Sequence, residues 1–291
     1  MFHVDREIRV QAGLWRRAAD LAAVSRHQLP THGQRIAVVG CGSSWFMAMA
    51  YASLREARGL GVSDAQTASE FAARRSYDHV IGISRSGSTT ETVELLAALR
   101  GRVRTTAITT VPDSPITQVA DETIVLDFAA EQAVMATGSM TATLALFRAH
   151  LGDDVHRAAA DVPAALDADL GDLADCEQIA FIGSGWTVGL ANEAALKMRE
   201  AAQYWAEAHP AMDYRHGPFS IAQPGRAVWC FGPPPRGLAE EVTQAGARFV
   251  SNTIDPMAHL VMAQRLAVQI AKHRGLNPDQ PRNLARSVIL G

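Results

Sequence analysis

The 291-residue sequence is poor in cysteine and net charge, and it has no long apolar run. Its three cysteines, Cys41, Cys176 and Cys230, are far apart, odd in number and in no CxxC pair. That excludes a disulfide framework and a zinc site, and it predicts reduced thiols in a reducing cytoplasm. Lys and Arg total 27 against 30 Asp and Glu, a formal charge of −3, so no broad basic field exists to gather nucleic acid or an anionic membrane. Any anion must be held by a local site. No stretch approaches the roughly 18 apolar residues of a membrane span. The first residues, Met1-Phe2-His3-Val4-Asp5-Arg6-Glu7, are charged where a signal peptide is apolar. Neither Gly-Lys-Ser nor Gly-Lys-Thr occurs, which removes the P-loop and any sequence basis for ATP hydrolysis.

What is present is the composition of a globular protein, 48% apolar with 22 Gly and 13 Pro, long enough for two domains or one large one. Short Val- and Ile-rich runs alternate with Ala/Leu-rich stretches: Ile36 to Val39, Val80 to Ile83, Thr105 to Thr109, Thr123 to Leu126, Ile179 to Ile182 and Ala227 to Phe231. Continuous apolar strands between helices predict an α/β fold with parallel sheets covered on both faces. The chain also echoes itself. Ile36-Ala37-Val38-Val39-Gly40-Cys41-Gly42-Ser43 aligns with Ile179-Ala180-Phe181-Ile182-Gly183-Ser184-Gly185-Trp186, 143 residues later. Two α/β halves are therefore expected, residues 1–160 and 161–275, joined through the Asp- and Ala-rich stretch from Gly152 to Asp175. The two prolines of Asn277-Pro278-Asp279-Gln280-Pro281-Arg282 rule out helix and strand there, so residues 276–291 are read as an extended tail.

Two loops are crowded with hydroxyls. Gly40-Cys41-Gly42-Ser43-Ser44 follows the first strand, and Ser84-Arg85-Ser86-Gly87-Ser88-Thr89-Thr90 follows the Val80 to Ile83 strand and leads into a helix. In a parallel sheet both lie at the carboxyl end, where backbone N–H groups at a helix start and several Ser/Thr donors suit a phosphate monoester. Ordinary helix capping uses only one such side chain per helix, and it accounts for Ser43 and Ser44 better than for the run around Gly87. The Gly40-x-Gly42 and Gly183-x-Gly185 turns lack the third glycine of a dinucleotide fingerprint, since Trp45 and Val188 stand there.

The stretch from Ala191 to Tyr204 reads as a helix. At about 100° per residue, Glu193, Lys197 and Glu200 share one face within roughly 60°. A solvated salt-bridge ladder would produce the same spacing. Following a ligand-side loop, however, two carboxylates around one ammonium can separate in pKa and divide acid and base work. His216 stands in a Gly-Pro turn among charged neighbours and is a candidate acid/base. His209 and His216 lack carboxylates at metal-ligand spacing, so neither a metal nor a cofactor is assigned.

These residues carry a resemblance. With Cys41-Gly42-Ser43-Ser44, Ile83-Ser84-Arg85-Ser86-Gly87-Ser88-Thr89, Glu193-Ala194-Ala195-Leu196-Lys197-Met198-Arg199-Glu200, Arg215-His216-Gly217-Pro218 and Pro281-Arg282-Asn283-Leu284-Ala285-Arg286-Ser287-Val288, the chain resembles the SIS-domain phosphosugar isomerases. It looks most like the isomerase half of glucosamine-6-phosphate synthase and single-chain aminosugar-phosphate deaminases. The resemblance implies two tandem αβα SIS-type domains, each a parallel sheet flanked by helices. It implies that Ser44, Ser84, Arg85, Ser86 and Thr89 cradle a sugar phosphate, with Arg85 where the synthase usually has Gln. Glu200 would move a proton between C1 and C2 with Lys197 beside it, and His216 would open the ring from a neighbouring subunit of a homodimer. Ser43, Val134, Ala136, Thr137, Glu193 and Arg286 would complete the sugar site.

Two departures qualify the resemblance. Arg286 replaces the family's tail lysine, and a permanently protonated guanidinium forms no Schiff base. Val134-Met135-Ala136-Thr137-Gly138 also lacks a hydroxyl and a cation of the family's Val-Ala-Ser-Thr-Lys loop. No glutaminase segment is read ahead of residue 1, so isomerisation, deamination or deglycation of a preformed phosphosugar is expected rather than synthesis. A phosphosugar-binding sensor that has lost the chemistry is the alternative.

Overall fold

Five of the six apolar runs become inner strands of two parallel sheets, and the sixth, Thr123 to Leu126, becomes an edge strand. The structure, a computed structural model, describes residues 1–290. In the first sheet, β1 (Ile36–Gly40), β2 (Ser63–Thr67), β3 (His79–Ile83), β4 (Arg104–Thr109) and β5 (Glu122–Val125) lie in the order β2-β1-β3-β4-β5. In the second, β6 (Gln178–Gly183), β7 (Ala206–Pro210), β8 (Arg226–Phe231) and β9 (Arg248–Val250) lie in the order β7-β6-β8-β9. Every pairing is parallel. All six predicted strands are present. The strands of the echo, β1 and β6, take the same place in their sheets, second from one edge.

The sequence reading did not identify β2, β7 and β9, and all three are edge strands. Ser-Asp-Ala-Gln-Thr and Ala-Glu-Ala-His-Pro carry no apolar run because most of their side chains stay partly exposed, and β9 has only three residues; the fourth edge strand, β5, is apolar because Ile124 is buried.

Helices α1 (His3–Arg9), α2 (Gln11–Val24), α3 (Ser43–Ala57), α4 (Thr90–Leu99), α5 (Pro115–Val119) and α6 (Gly138–His150) accompany the first sheet. The stretch read as a link holds α7 (Val155–Ala160) and α8 (Val162–Asp167), and α9 (Thr187–Ala202), α10 (Leu238–Gln244) and α11 (Pro256–His273) follow. Residues 276–290 carry neither helix nor strand. Among the described residues no helix is long and apolar enough to cross a membrane.

Alternate side chains of β1 serve different cores. Ile36 and Val38 enter a cluster that runs unbroken past residue 160 to Phe181 and Trp229, while Ala37 and Val39 enter a smaller one with Leu96 of α4. Both faces of the strand are thus buried, at about 1.5–3 kcal/mol for each large aliphatic side chain. Within the large cluster α3 and α9 approach closely at Gly189, where a Cβ would stand 2.5 Å from the Phe46 carbonyl oxygen. That contact brings the first residue of α3 beside the last turns of α9.

His259 on α11 is buried with no hydrogen-bond partner for either ring nitrogen, stacked 4.8 Å from the Trp229 ring. Burial pulls its pKa from 6.5 down to about 3. The unfolded chain therefore binds a proton that the folded chain refuses, and the stability His259 contributes is present above 6.5 and lost as pH falls toward 3. We expect His259→Leu to flatten the stability profile between pH 6.5 and 4 by about 1.4 kcal/mol per pH unit, read from urea unfolding at each pH. An unchanged slope would show that this histidine is not held neutral.

Candidate active site

At the carboxyl ends of β1 and β3 the two hydroxyl-rich loops face one pocket of about 280 Å³. α3 begins directly after Gly42, and Thr89 precedes the first turn of α4, so both loops deliver their hydroxyls at helix starts. Ser43, Ser44, Arg85, Ser86, Thr89, Val134, Ala136, Glu200 and Arg286 all line this pocket, together with Ser287 and Val288. The structure brings these predicted residues together. Ser84 sits behind them, buried, with its hydroxyl donated to Thr89 Oγ1 at 3.1 Å.

The face of α9 is not solvated. Lys197 and Glu193 are both 0% exposed, and only the Glu200 side chain, 18% exposed, reaches the pocket. Lys197 Nζ donates to Glu200 Oε2 at 2.5 Å and to Ser43 Oγ at 3.1 Å, and it lies 3.4 Å from Glu193 Oε1. Burial alone would lower the pKa of the ammonium, but Glu193 and Glu200 outweigh it and hold it above the ordinary lysine value. Burial pushes the Glu193 carboxyl up against the pull of Lys197. A charged lysine therefore fixes the carboxylate that faces the pocket, with a second carboxyl behind it.

Arg85 is buried, and its guanidinium is engaged by main chain: Nη1 donates to the Ala133 carbonyl at 3.3 Å and Nη2 to the Arg286 carbonyl at 3.0 Å. Glu131 lies 4.0 Å from it. Its ordering of residues 131–137 and of the C-terminal segment is a role that the motif alone does not reveal.

Three acids unnoticed in the sequence hold the rest of the site. Glu131 accepts from the backbone N–H groups of Thr137 and Gly138 at 2.8 and 2.7 Å and from the hydroxyls of Thr137 and Ser139, which caps α6. Glu7 of α1 accepts from the N–H groups of Gln132 and Ala133. Asp279 accepts from the N–H groups of His3 and Val4, both at 2.8 Å, and its carbonyl accepts from Val134 N–H at 2.9 Å. Beyond it, Arg286 Nη1 donates to the Glu131 carbonyl, Ser287 Oγ lies 3.1 Å from the Ser86 and Ser88 hydroxyls, and Val288 O accepts from Thr90 N–H.

Some expected sugar contacts lie elsewhere. Thr137 is fully buried with its hydroxyl on Glu131, and Glu193 is shielded behind Lys197, so neither lines the pocket. His216 is exposed on the connection between β7 and β8 and is not part of the pocket lining. Among the described residues no group of three or more His, Cys, Asp or Glu is placed to hold a metal.

Gly87 makes the hydroxyl loop possible. Its φ is +66°, and a Cβ there would stand 1.9 Å from Ser114 Oγ. We expect Gly87→Ala to destabilise the fold by about 2 kcal/mol, since a left-handed alanine alone costs about 1–2 kcal/mol. Urea unfolding measures it, and a loss under about 0.5 kcal/mol would show that the loop yields freely.

Residues 31–151 match the family described as the SIS domain. This segment is a SIS domain. It contains the first sheet, both hydroxyl-rich loops and the 131–137 loop. The chain is 29% identical to the glutamine–fructose-6-phosphate aminotransferase [isomerizing] of Methanothermobacter thermautotrophicus, over 88% of this chain and 52% of that protein. It is also 29% identical to the enzyme of that name from Gloeobacter violaceus, with the same coverage. The chain thus spans about half the length of these curated relatives. The same fold, at TM-score 0.88 and 24% identity, occurs in glucosamine-6-phosphate deaminase from Thermotoga maritima, covering 99% of this chain and 100% of that one. Tagatose-6-phosphate ketose/aldose isomerase from Escherichia coli superposes at TM-score 0.77 with 20% identity, covering 97% and 96%. The SIS domain alone supplies the hydroxyl loops, while Glu200 comes from α9 outside residues 31–151.

Proposed function

We propose that this protein is a hexose 6-phosphate isomerase or aminosugar-phosphate deaminase that works by proton transfer between C1 and C2. The observation that carries this reading is the Glu200 carboxylate, fixed by a fully buried lysine, facing the pocket that holds the hydroxyl loop. A pure phosphate binder has no use for such a base. The phosphate would rest on Ser44, Ser86 and Thr89, backed by Ser84, so that binding energy from the unreactive end sets C1 and C2 against Glu200. Glu200 takes the proton from C2 of the aldose and returns it to C1 through an enediol. With nitrogen at C2, the same transfer passes through an enolamine to an imine, and water then releases ammonia.

His216, exposed in this chain, serves in this reading as the ring-opening group of a partner subunit in a cytoplasmic homodimer. The two halves, 1–160 and 161–275, act as tandem SIS-type units, followed by the tail 276–291, of which residues 284–288 line the pocket. Arg286 binds an oxyanion rather than forming a Schiff base. That same arginine favours a second reading, a phosphosugar sensor without chemistry.

NMR in D₂O with hexose, hexosamine and N-acetylhexosamine 6-phosphates separates the two. Deuterium entering next to the carbonyl carbon, or ammonia release, with one of these sugars establishes the enzyme. Saturable binding with neither establishes the sensor.

A further inference from the structure

A second cavity, of about 320 Å³, lies between α1, residues 166–170 and α11, and it shares no lining residue with the candidate active pocket. Ile8, Leu170 and Val268 line it, each buried. Arg9, Arg265, Lys272 and His273 also line it, against one carboxylate, Asp5. That carboxylate is already committed, since it pairs with Lys272 at 2.7 Å and accepts from Phe2 N–H at 3.0 Å.

Arg265 is anchored through Nη1 to the carbonyls of Ala165 and Ala168 at 2.7 and 2.9 Å. Burial, and next the guanidinium of Arg9, pull its pKa down. Among the described residues the side chains of Arg9 and His273 make no hydrogen bond to an acidic group and no ion pair with one. Cations in a last helical turn ordinarily answer the helix dipole, and Arg9 and His273 sit in such turns of α1 and α11. That accounts for neither Arg265, in the middle of α11, nor the apolar side chains beneath.

We propose that this cavity binds an amphiphilic anion, a carboxylate or phosphate monoester carried on an apolar body. The gathered guanidiniums supply planar donors that suit such an oxyanion, and Ile8, Leu170 and Val268 take the apolar part. The cavity is also wired toward the loop at the active pocket. Its α1 wall holds residues 132 and 133 through Glu7, and the first turn of α1 is joined to Val134 through Asp279.

Calorimetric titration with phenyl phosphate, benzoate and inorganic phosphate tests the site on three proteins: wild type, an Arg9→Ala/His273→Ala variant and a Ser86→Ala/Thr89→Val variant. Arg9 and His273 are exposed, so the first variant is expected to keep the wild-type Tm. Both aryl anions should bind wild type. They should bind about tenfold or more weakly to Arg9→Ala/His273→Ala, and at least one saturable aryl-anion site should survive in Ser86→Ala/Thr89→Val. Inorganic phosphate, lacking the apolar body, should not reproduce that site. Absence of aryl-anion binding, binding unmoved by the Arg9→Ala/His273→Ala change, or loss only with Ser86→Ala/Thr89→Val would overturn the proposal. The last result would place the probe in the hydroxyl cradle. The phosphate and carboxylate arms then tell which head group the guanidiniums prefer.

Discussion

Glu200→Gln is expected to lower turnover of the accepted phosphosugar by at least about a thousandfold while leaving its Kd within about threefold. Glutamine has the same shape, and its carbonyl oxygen still accepts from Lys197 Nζ, so the donor now 2.5 Å from Glu200 keeps its partner. What disappears is the capacity to take a proton. The hydroxyls of Ser44, Ser86 and Thr89, on which the proposed function rests the phosphate, are untouched, which is why affinity should survive. Steady-state kinetics together with calorimetric binding measure both quantities. Turnover within tenfold of wild type would remove Glu200 from the chemistry, and a parallel collapse of affinity would make it a binding group instead.

Lys197→Met is expected to destabilise the protein by about 3–5 kcal/mol, the scale for stripping one partner from a buried ion pair. Methionine fits the volume but leaves Glu193, 0% exposed, without its counter-charge and facing Glu200. Burial already raises the Glu193 carboxyl above its ordinary 4.5, and loss of Lys197 removes the largest opposing influence. A carboxyl raised on folding contributes stability that is present below its unfolded value and lost as pH rises through the folded one. The variant should therefore be more stable near pH 5 than near pH 8 by urea unfolding. Adding Glu193→Gln should recover most of the loss and remove that pH dependence. Failure of this second change to recover stability would show that Lys197 stabilises through packing alone.

The parts of this molecule legible in the sequence share a property: their signal is local. The inner strands announce themselves as Val- and Ile-rich runs because both faces are buried, and the hydroxyl loop is dense within seven residues. The spacing of Glu193, Lys197 and Glu200 gives their common face but not its burial, and a solvated ladder would read identically. One further sign was available. The chain has only two lysines among its 27 basic residues, so a lysine at 197 marks a place where a compact ammonium is wanted rather than a planar guanidinium. Strands β2 and β7 escape because their side chains stay half-exposed and need no apolar run, and β9 because it has only three residues, whereas β5, also at an edge, is legible through the buried Ile124 and Leu126. Glu7, Glu131 and Asp279 escape for another reason. Each caps backbone donors, and for Glu7 and Asp279 those donors lie 125 to 276 residues away in the sequence.

The Asp279 clasp sets a clock on biosynthesis. Its carboxylate caps the first turn of a helix whose Val4 is 275 residues upstream, and its carbonyl steadies Val134. At about 5–20 residues per second, the ribosome needs roughly 14–55 s to bridge that interval. Throughout that time the first sheet can form from its own strands, but the loop beside the hydroxyl-rich pocket lacks one of its anchors. A nascent chain stalled short of residue 279 would thus carry a nearly finished SIS domain with an unfastened pocket.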